Sequence, residues 1–184
     1  KLDFVVHAIA FAGKEELMGR YVDTSSQAFD KALNISCYSF TAVACRAEKL
    51  MEEGGAMLTL SYYGAAKVIP HYNVMGVAKA ALEASVRYLA EDLGKDNIRV
   101  NAVAPGYVYT PMVASRGMTE ELRQQRAQSG MLKTEGSAWD VAEAACFLAS
   151  GAARWITGQT LPVDAGRSAG NASGASPKPE GALR

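Results

Sequence analysis

Residues 61–79 read SYYGAAKVIPHYNVMGVAK and join a short apolar run, Ala56–Leu60, to a long stretch with helical periodicity. In it Tyr62 and Tyr72 lie ten residues apart, and Lys79 follows seven residues after the second tyrosine. Seven residues make almost two helical turns, so Tyr72 and Lys79 are expected to project from nearly the same helix face. An ammonium near a phenol stabilises the phenolate and lowers the pKa of the phenol. The pattern therefore predicts a site of proton transfer built on Tyr72 and Lys79.

Apolar runs and helical patterns alternate along the chain. Strands are predicted at residues 2–10, 56–61, 98–104 and 160–164, and helices at about 24–51, 73–93, 110–128 and 137–149. This alternation is typical of an α/β fold with a doubly wound, Rossmann-like parallel sheet. Ligands of such sheets bind beyond the carboxyl ends of the strands, which here are residues 8–12, 61–62 and 105–110. We predict one domain over residues 1–165 and a disordered tail over residues 166–184, because the tail has too few apolar residues to offset its ordering entropy.

Composition excludes several classes of partner. Nineteen basic and nineteen acidic residues leave no net charge, so neither nucleic acid nor a membrane surface is predicted to bind. There is no run of about 18 apolar residues and no basic-then-apolar leader, and a cytoplasmic protein is expected. Cys37, Cys45 and Cys146 form no CxxC pair, so buried reduced thiols are predicted rather than a disulfide. His7 and His71 lack ligand spacing, and no metal site is predicted.

The stretch with two tyrosines and the Tyr72-x6-Lys79 spacing resembles the signature of the short-chain dehydrogenase/reductase superfamily, in its enoyl-[acyl-carrier-protein] reductase branch. The resemblance covers roughly residues 2–104. The ordinary dehydrogenase branch instead has Tyr-x-x-x-Lys with an upstream Ser. Here those two places hold Met75 and Tyr62, which favours the enoyl reductase branch.

Two other stretches depart from that branch. Residues 101–112 and 156–164 resemble the ordinary dehydrogenase branch, so the chain reads as a hybrid of two related branches. The superfamily also begins with a strand, a Gly-rich turn and a helix that hold the pyrophosphate, whereas Gly13 and Gly19 lack that spacing. We therefore expect the first βα units of the fold to be absent from this chain, which would leave the first strand as an unpaired apolar edge.

The resemblance implies NADH-dependent reduction of an enoyl thioester in fatty-acid biosynthesis, with NADPH as the alternative cofactor. The implied substrate is linked to acyl carrier protein or to CoA. Tyr72 would bind the thioester carbonyl, Lys79 the nicotinamide ribose, and Tyr62 would assist protonation or close the pocket. Further cofactor contacts are implied at Ile9, Ala10, Val108 and Thr110. Members of the superfamily pair helix faces like the Ala-rich ones predicted here across a two-fold axis, so a homo-oligomer, dimer or tetramer, is expected.

Other interpretations stay open. The dehydrogenase-like stretch 101–112 favours a carbonyl or alcohol oxidoreductase, for example one acting on a ketoacyl thioester. The lack of a Gly-rich turn favours a catalytically silent fragment that only folds or associates, with weak or no NADH binding. Structural roles are the alternative at single positions: packing for the tyrosines, a solvated surface for Lys79, and a helix cap for Thr110 ahead of Pro111.

Overall fold

The computed structural model describes residues 1–115 and 117–170. Its centre is a four-stranded parallel sheet in the order β1-β2-β3-β6, and a second sheet pairs β4 with β5. The strands are β1 (Phe4–His7), β2 (Gly55–Leu60), β3 (Ile98–Pro105), β4 (Val108–Tyr109), β5 (Gly136–Ser137) and β6 (Thr160–Val163). The parallel α/β architecture predicted from the sequence is confirmed.

Helices link these strands. They are α1 (Lys14–Met18), α2 (Ser26–Leu33), α3 (Ser39–Ala47), α4 (Asn73–Gly94), α5 (Pro111–Ala114), α6 (Glu120–Gln128) and α7 (Ala138–Ala149). Polar side chains fix where several of them begin. Ser25 accepts a hydrogen bond from the Ala28 N–H at the start of α2, and Ser137 and Asp140 form a reciprocal capping box on α7.

Neighbouring residues of one central strand supply two separate apolar cores. On β2, Met57 packs with Phe40 and Leu82 on one side of the sheet, and Leu58 packs with Leu148 on the other. Successive side chains of a strand point to opposite faces, so the sheet lies between α2–α4 and α7. This layering leaves the carboxyl ends of the parallel strands open for a site.

Three local features differ from the sequence prediction. The predicted helix 24–51 contains a π-helical turn, Asn34–Tyr38, between α2 and α3. The predicted helix 110–128 is divided into α5 and α6, because Gly117 takes a left-handed φ of 80° and Thr119 caps a new helix. The β4–β5 pair was not predicted, since two-residue strands are too short to show periodicity.

The thiols are free, as expected, yet the prediction that all three are buried is wrong. Cys45 and Cys146 are exposed and Cys37 is half-buried. The reason is helical phase: Ala44 and Ala47 face the core, and each step along a helix turns a side chain by about 100°. Cys45, one step beyond Ala44, therefore faces away from the core.

β1 forms the edge of the sheet in the described residues, pairing there with β2 alone. Its Phe4 and Val6 are 55% and 48% exposed, which agrees with the predicted apolar edge. Of the tail predicted to be disordered, residues 171–184 lie outside the described residues, while Arg167–Ala169 form a short 3-10 turn. No helix in the described part of the chain combines the length and apolar character that a membrane crossing requires.

Candidate active site

The carboxyl ends of the four parallel strands meet at one edge of the sheet. β1 leads into the segment with Ile9 and Ala10, β2 into Ser61 and Tyr62, and β3 into Gly106. This is the edge at which doubly wound sheets bind their ligands. The structure thus brings together the three strand ends that the sequence pointed to.

Tyr72 occupies the residue just before α4. The following residue, Asn73, has a left-handed φ of 40°, and its side-chain amide is fixed by the segment that contains α1. That amide donates to backbone carbonyls of Glu16, Leu17 and Gly19 at 3.0, 3.3 and 2.7 Å. Asn tolerates the left-handed region better than most residues, so this contact holds the start of α4 and the position of Tyr72.

Tyr62 and Tyr72 are in direct contact. Their rings meet edge to face, with centroids 4.8 Å apart and an interplanar angle of 63°. Gly64 makes room for this pair, because a Cβ built on it would lie only 2.7 Å from Tyr72 Cε1. A pair of tyrosines that are ten residues apart in the chain therefore becomes a single aromatic unit.

The pKa values of the two phenols correct one expectation. Burial raises the pKa of Tyr72, and the neighbouring Tyr62 raises it further. Lys79 is not among the causes of this shift, so the predicted lowering of the Tyr72 pKa by Lys79 is wrong: removal from water disfavours the phenolate. Tyr72 is therefore a neutral phenol at physiological pH and keeps its O–H proton.

Tyr62 has a different set of neighbours. Burial raises its pKa and Tyr107 raises it as well, whereas the guanidinium of Arg167 lowers it in part. The Arg167 guanidinium carbon lies 3.8 Å from the centroid of the Tyr107 ring. Sequence reasoning missed Tyr107 and Arg167, because nothing in the local pattern shows that the ends of β3 and β6 pack beside Tyr62.

Lys79 is 5% exposed, so the alternative of a solvated surface lysine is wrong. Its ammonium donates to the Leu60 carbonyl at 2.6 Å. Burial lowers the pKa of Lys79 to about 8, while Cys37 and Glu83 oppose that shift. An ammonium has three N–H donors, so two are left for a ligand beyond the Leu60 carbonyl.

A cavity of about 380 Å³ opens beside the first turns of α4. Tyr72 lines it, and Val68, Ile69 and Val77 contribute apolar walls. A mostly apolar cavity with the phenols of Tyr21 and Tyr72 at its wall suits an aliphatic ligand with a polar end group.

The predicted cofactor residues lie along the same edge of the sheet. Ile9 is 51% exposed and Ala10 is exposed, both in the segment after β1. Val108 belongs to β4, and the Thr110 hydroxyl accepts from the Val113 N–H at 3.3 Å, which caps α5. The cap uses a lone pair of that hydroxyl and leaves its proton for another acceptor.

Two further polar side chains, outside the predicted set of site residues, are buried within the sheet. His7, at the end of β1, is 3% exposed, and its ring nitrogens lie 3.0 Å from Thr59 Oγ1 and 2.8 Å from Ser39 Oγ. Burial lowers the pKa of His7, and Lys79 lowers it further, so His7 is neutral. Asn101 is buried and satisfied by Ile156 and Gln159, which is the structural role expected for an amide within a strand. No group of three or more metal-ligating side chains occurs in the described residues.

A parallel sheet flanked by helices, with Tyr62 and the Lys79 ammonium near the carboxyl end of β2, is that of a Rossmann-like protein of the short-chain dehydrogenase/reductase class. Residues 1–168 match the family model described as enoyl-(acyl carrier protein) reductase, and the chain belongs to this family. The match continues well past residue 104, where the sequence pattern had suggested a change of branch.

Similar proteins agree in sequence and in fold. The enoyl-[acyl-carrier-protein] reductase [NADH] 1 of Rhizobium meliloti is 52% identical over 166 residues, which are 90% of this chain and 61% of the relative. The Anaplasma phagocytophilum reductase, solved in complex with NAD, is 52% identical with a TM-score of 0.84, over 92% of this chain and 63% of that one. The Bacillus cereus enoyl-acyl carrier protein reductase, solved with NADP+ and indole naphthyridinone, is 44% identical with a TM-score of 0.86, over 92% and 66%.

The matches also show what share of each relative's length this chain spans. The chain spans 61% and 63% of the length of two curated relatives that it matches, a little under two thirds. The activity of the whole protein is therefore taken up below as a proposal.

Proposed function

We propose that the protein acts as an NAD(P)H-dependent enoyl-[acyl-carrier-protein] reductase of fatty-acid biosynthesis, which reduces the double bond of a 2-enoyl thioester. One observation supports this most: at the carboxyl end of β2, the Tyr62 ring is in contact with Tyr72, and the buried ammonium of Lys79 donates to the Leu60 carbonyl. The names of the similar proteins point to the same activity.

The reaction needs two electrons and two hydrogens. When bound, the reduced nicotinamide supplies a hydride to the β-carbon, and a proton must then reach the α-carbon of the resulting enolate. Tyr72 is protonated at neutral pH and donates a hydrogen bond to the thioester oxygen, on which negative charge develops. The proposed role of Tyr62 is to close the pocket and assist protonation, since the Arg167 charge offsets part of the cost of proton loss.

Lys79 fits the cofactor role that the resemblance implied. One N–H is bound to the Leu60 carbonyl, which aims the ammonium at the strand ends and leaves two donors for ribose hydroxyls. Glu83, one helical turn further along α4, favours the protonated form of Lys79. The Glu83 carboxylate in turn accepts a hydrogen bond from the Ser61 hydroxyl. Ile9, Ala10, Val108 and Thr110 are the further residues proposed to contact the cofactor.

The test is oxidation of NADH with crotonyl thioester by the full-length protein. Tyr72→Phe and Lys79→Met are each expected to lower kcat/KM by about 10²-fold or more, as is usual when a positioned donor or charge is removed. Lys95→Met, at an exposed position directly after α4, serves as the matched control for Lys79→Met and should retain activity. Full activity in both site variants would contradict the proposal.

The same assay separates the alternatives. NADPH in place of NADH decides the cofactor, a choice that the similar structures with NAD and NADP+ leave open. Turnover of a ketoacyl thioester, but not of an enoyl thioester, would favour the carbonyl reductase interpretation.

We further propose that the protein is a cytoplasmic homo-oligomer. Exposed aromatic residues on the helical face support association, with Tyr38 at 59% and Tyr88 at 76% exposure. Light scattering tests the oligomeric state.

A further inference from the structure

The helical run from Ser26 to Ala47 is widened in its middle by one π-helical turn. Across this turn the Ser39 N–H donates to the Asn34 carbonyl, five residues earlier. Such single π-turns are rare in proteins and often occur at functional sites. Three polar residues in and directly after this turn, Ser36, Cys37 and Ser39, contact other elements near the candidate site.

Ser36, at the centre of the turn, is fully buried and holds the backbone of Phe11. The Phe11 N–H donates to Ser36 Oγ at 2.9 Å, and the Ser36 hydroxyl donates back to the Phe11 carbonyl at 3.1 Å. Within the described part of the chain, the backbone of residues 9–12 makes these two hydrogen bonds and no others. A single side chain therefore anchors the segment that follows β1.

The neighbours of Ser36 in the chain contact two other parts of the site. Cys37 Sγ lies 3.4 Å from Ser85 Oγ on α4. Cys37 also opposes the lowering of the Lys79 pKa. The Ser39 hydroxyl donates to the Ile35 carbonyl at 2.6 Å, so it accepts from His7 Nε2 at the end of β1. The turn thus connects the end of β1, the segment after it, and the helix that carries Lys79.

We propose that Ser36 is a positioning residue for the cofactor, which sets the backbone of Ile9 and Ala10 where the nicotinamide end of NADH must bind. The inference rests on the proposed function. Without the hydroxyl, the N–H and the C=O of Phe11 lose the side-chain partner that they share, which makes the observed loop conformation less favourable. The segment is then free to move, and a displacement of about 1 Å at a positioning element can cost about 10²-fold in rate.

The variant Ser36→Ala in the full-length protein tests this role. We expect its dissociation constant for NADH to rise at least about tenfold, and the amide of Phe11 to exchange with solvent faster, while the amides of β1 keep their protection. Ser85→Ala is the matched control. It removes a hydroxyl that is bound within α4 and contacts Cys37, the residue after Ser36 in the same turn. It should leave NADH binding and Phe11 exchange unchanged.

Each outcome decides between distinct conclusions. A folded Ser36→Ala protein that binds NADH as tightly as the wild type overturns the positioning role, even if its unfolding temperature is lower. A wild-type protein that does not bind NADH overturns the proposed function and this inference together. Equal loss of NADH affinity in Ser36→Ala and Ser85→Ala would assign the effect to the turn in general and also overturn a specific role for Ser36.

Discussion

The rings of Tyr62 and Tyr72 meet edge to face with their centroids 4.8 Å apart, although one residue ends a strand region and the other precedes a helix. This contact gives the site two phenols in different electrostatic surroundings. Arg167 lies near Tyr62 and partly offsets its raised pKa, whereas Tyr72 has burial and Tyr62 as the causes of its raised pKa. Of the two phenols, Tyr62 is therefore the one whose phenolate form is favoured by a nearby cation.

Arg167→Met should raise the pKa of Tyr62 further, because it removes the positive charge that favours the phenolate. The shift can be followed by NMR on 13C-labelled tyrosine as the pH is raised, with Tyr62→Phe used to assign the signal. Arg126→Met is the matched control, since its guanidinium also stacks on Tyr107, at 4.7 Å, but is not among the causes of the Tyr62 shift. Equal shifts in the two variants would contradict the assignment to Arg167.

Gly64→Ala is expected to destabilise the protein by about 1–3 kcal/mol, because its new Cβ would overlap the ring of Tyr72. Urea unfolding measures this loss. In contrast, Gly94→Ala places a Cβ in open space at the end of α4 and should be neutral or stabilising by up to about 1 kcal/mol. An unchanged midpoint in Gly64→Ala would show that the tyrosine pair tolerates displacement.

Lys79 should make stability depend on pH above neutrality. Below about pH 8 the lysine is protonated in both the folded and the unfolded chain, so it adds no pH dependence there. Between the folded pKa of about 8 and the unfolded value of 10.5, the unfolded chain binds more protons, and the free energy of unfolding rises with pH. The rise from this residue is at most about 3 kcal/mol.

Urea unfolding of the wild type and of Lys79→Met, at pH 7 and at pH 10.5, isolates that contribution. The difference between the two proteins should move in favour of the wild type as the pH rises. A difference that is independent of pH would mean that Lys79 keeps an ordinary pKa in the folded state.

Asn73→Ala should release α1 from the start of α4, because three backbone carbonyls lose the amide that they share. Hydrogen exchange is expected to become faster in residues 14–19 and to stay unchanged in β2 and β3. Asn34→Ala, at an exposed position of the π-turn, is the control and should leave residues 14–19 protected. Faster exchange everywhere would indicate global destabilisation instead of a local clamp.

The regular elements could be predicted from sequence because their signals are local. Strand β3 and helix α4 differ from their predicted bounds by a single residue at one end, since apolar periodicity and terminal glycines mark these elements. The last helix was predicted to begin at residue 137, and Ser137 is observed as its N-cap. The π-turn was not predicted, since its sequence keeps ordinary helical spacing to either side and nothing local marks the extra residue.

The sequence by itself determined the parallel α/β fold and the spacing of Tyr62, Tyr72 and Lys79, because strand and helix periods depend on neighbouring residues. Only the tertiary structure decided the chemical state of those groups. The pKa of a phenol or an amine depends on how much water remains around it and on which charges stand nearby, and those neighbours come from distant parts of the chain, such as Arg167 for Tyr62. That is why the candidate site residues could be proposed from the sequence, whereas the direction of the Tyr72 pKa shift could not.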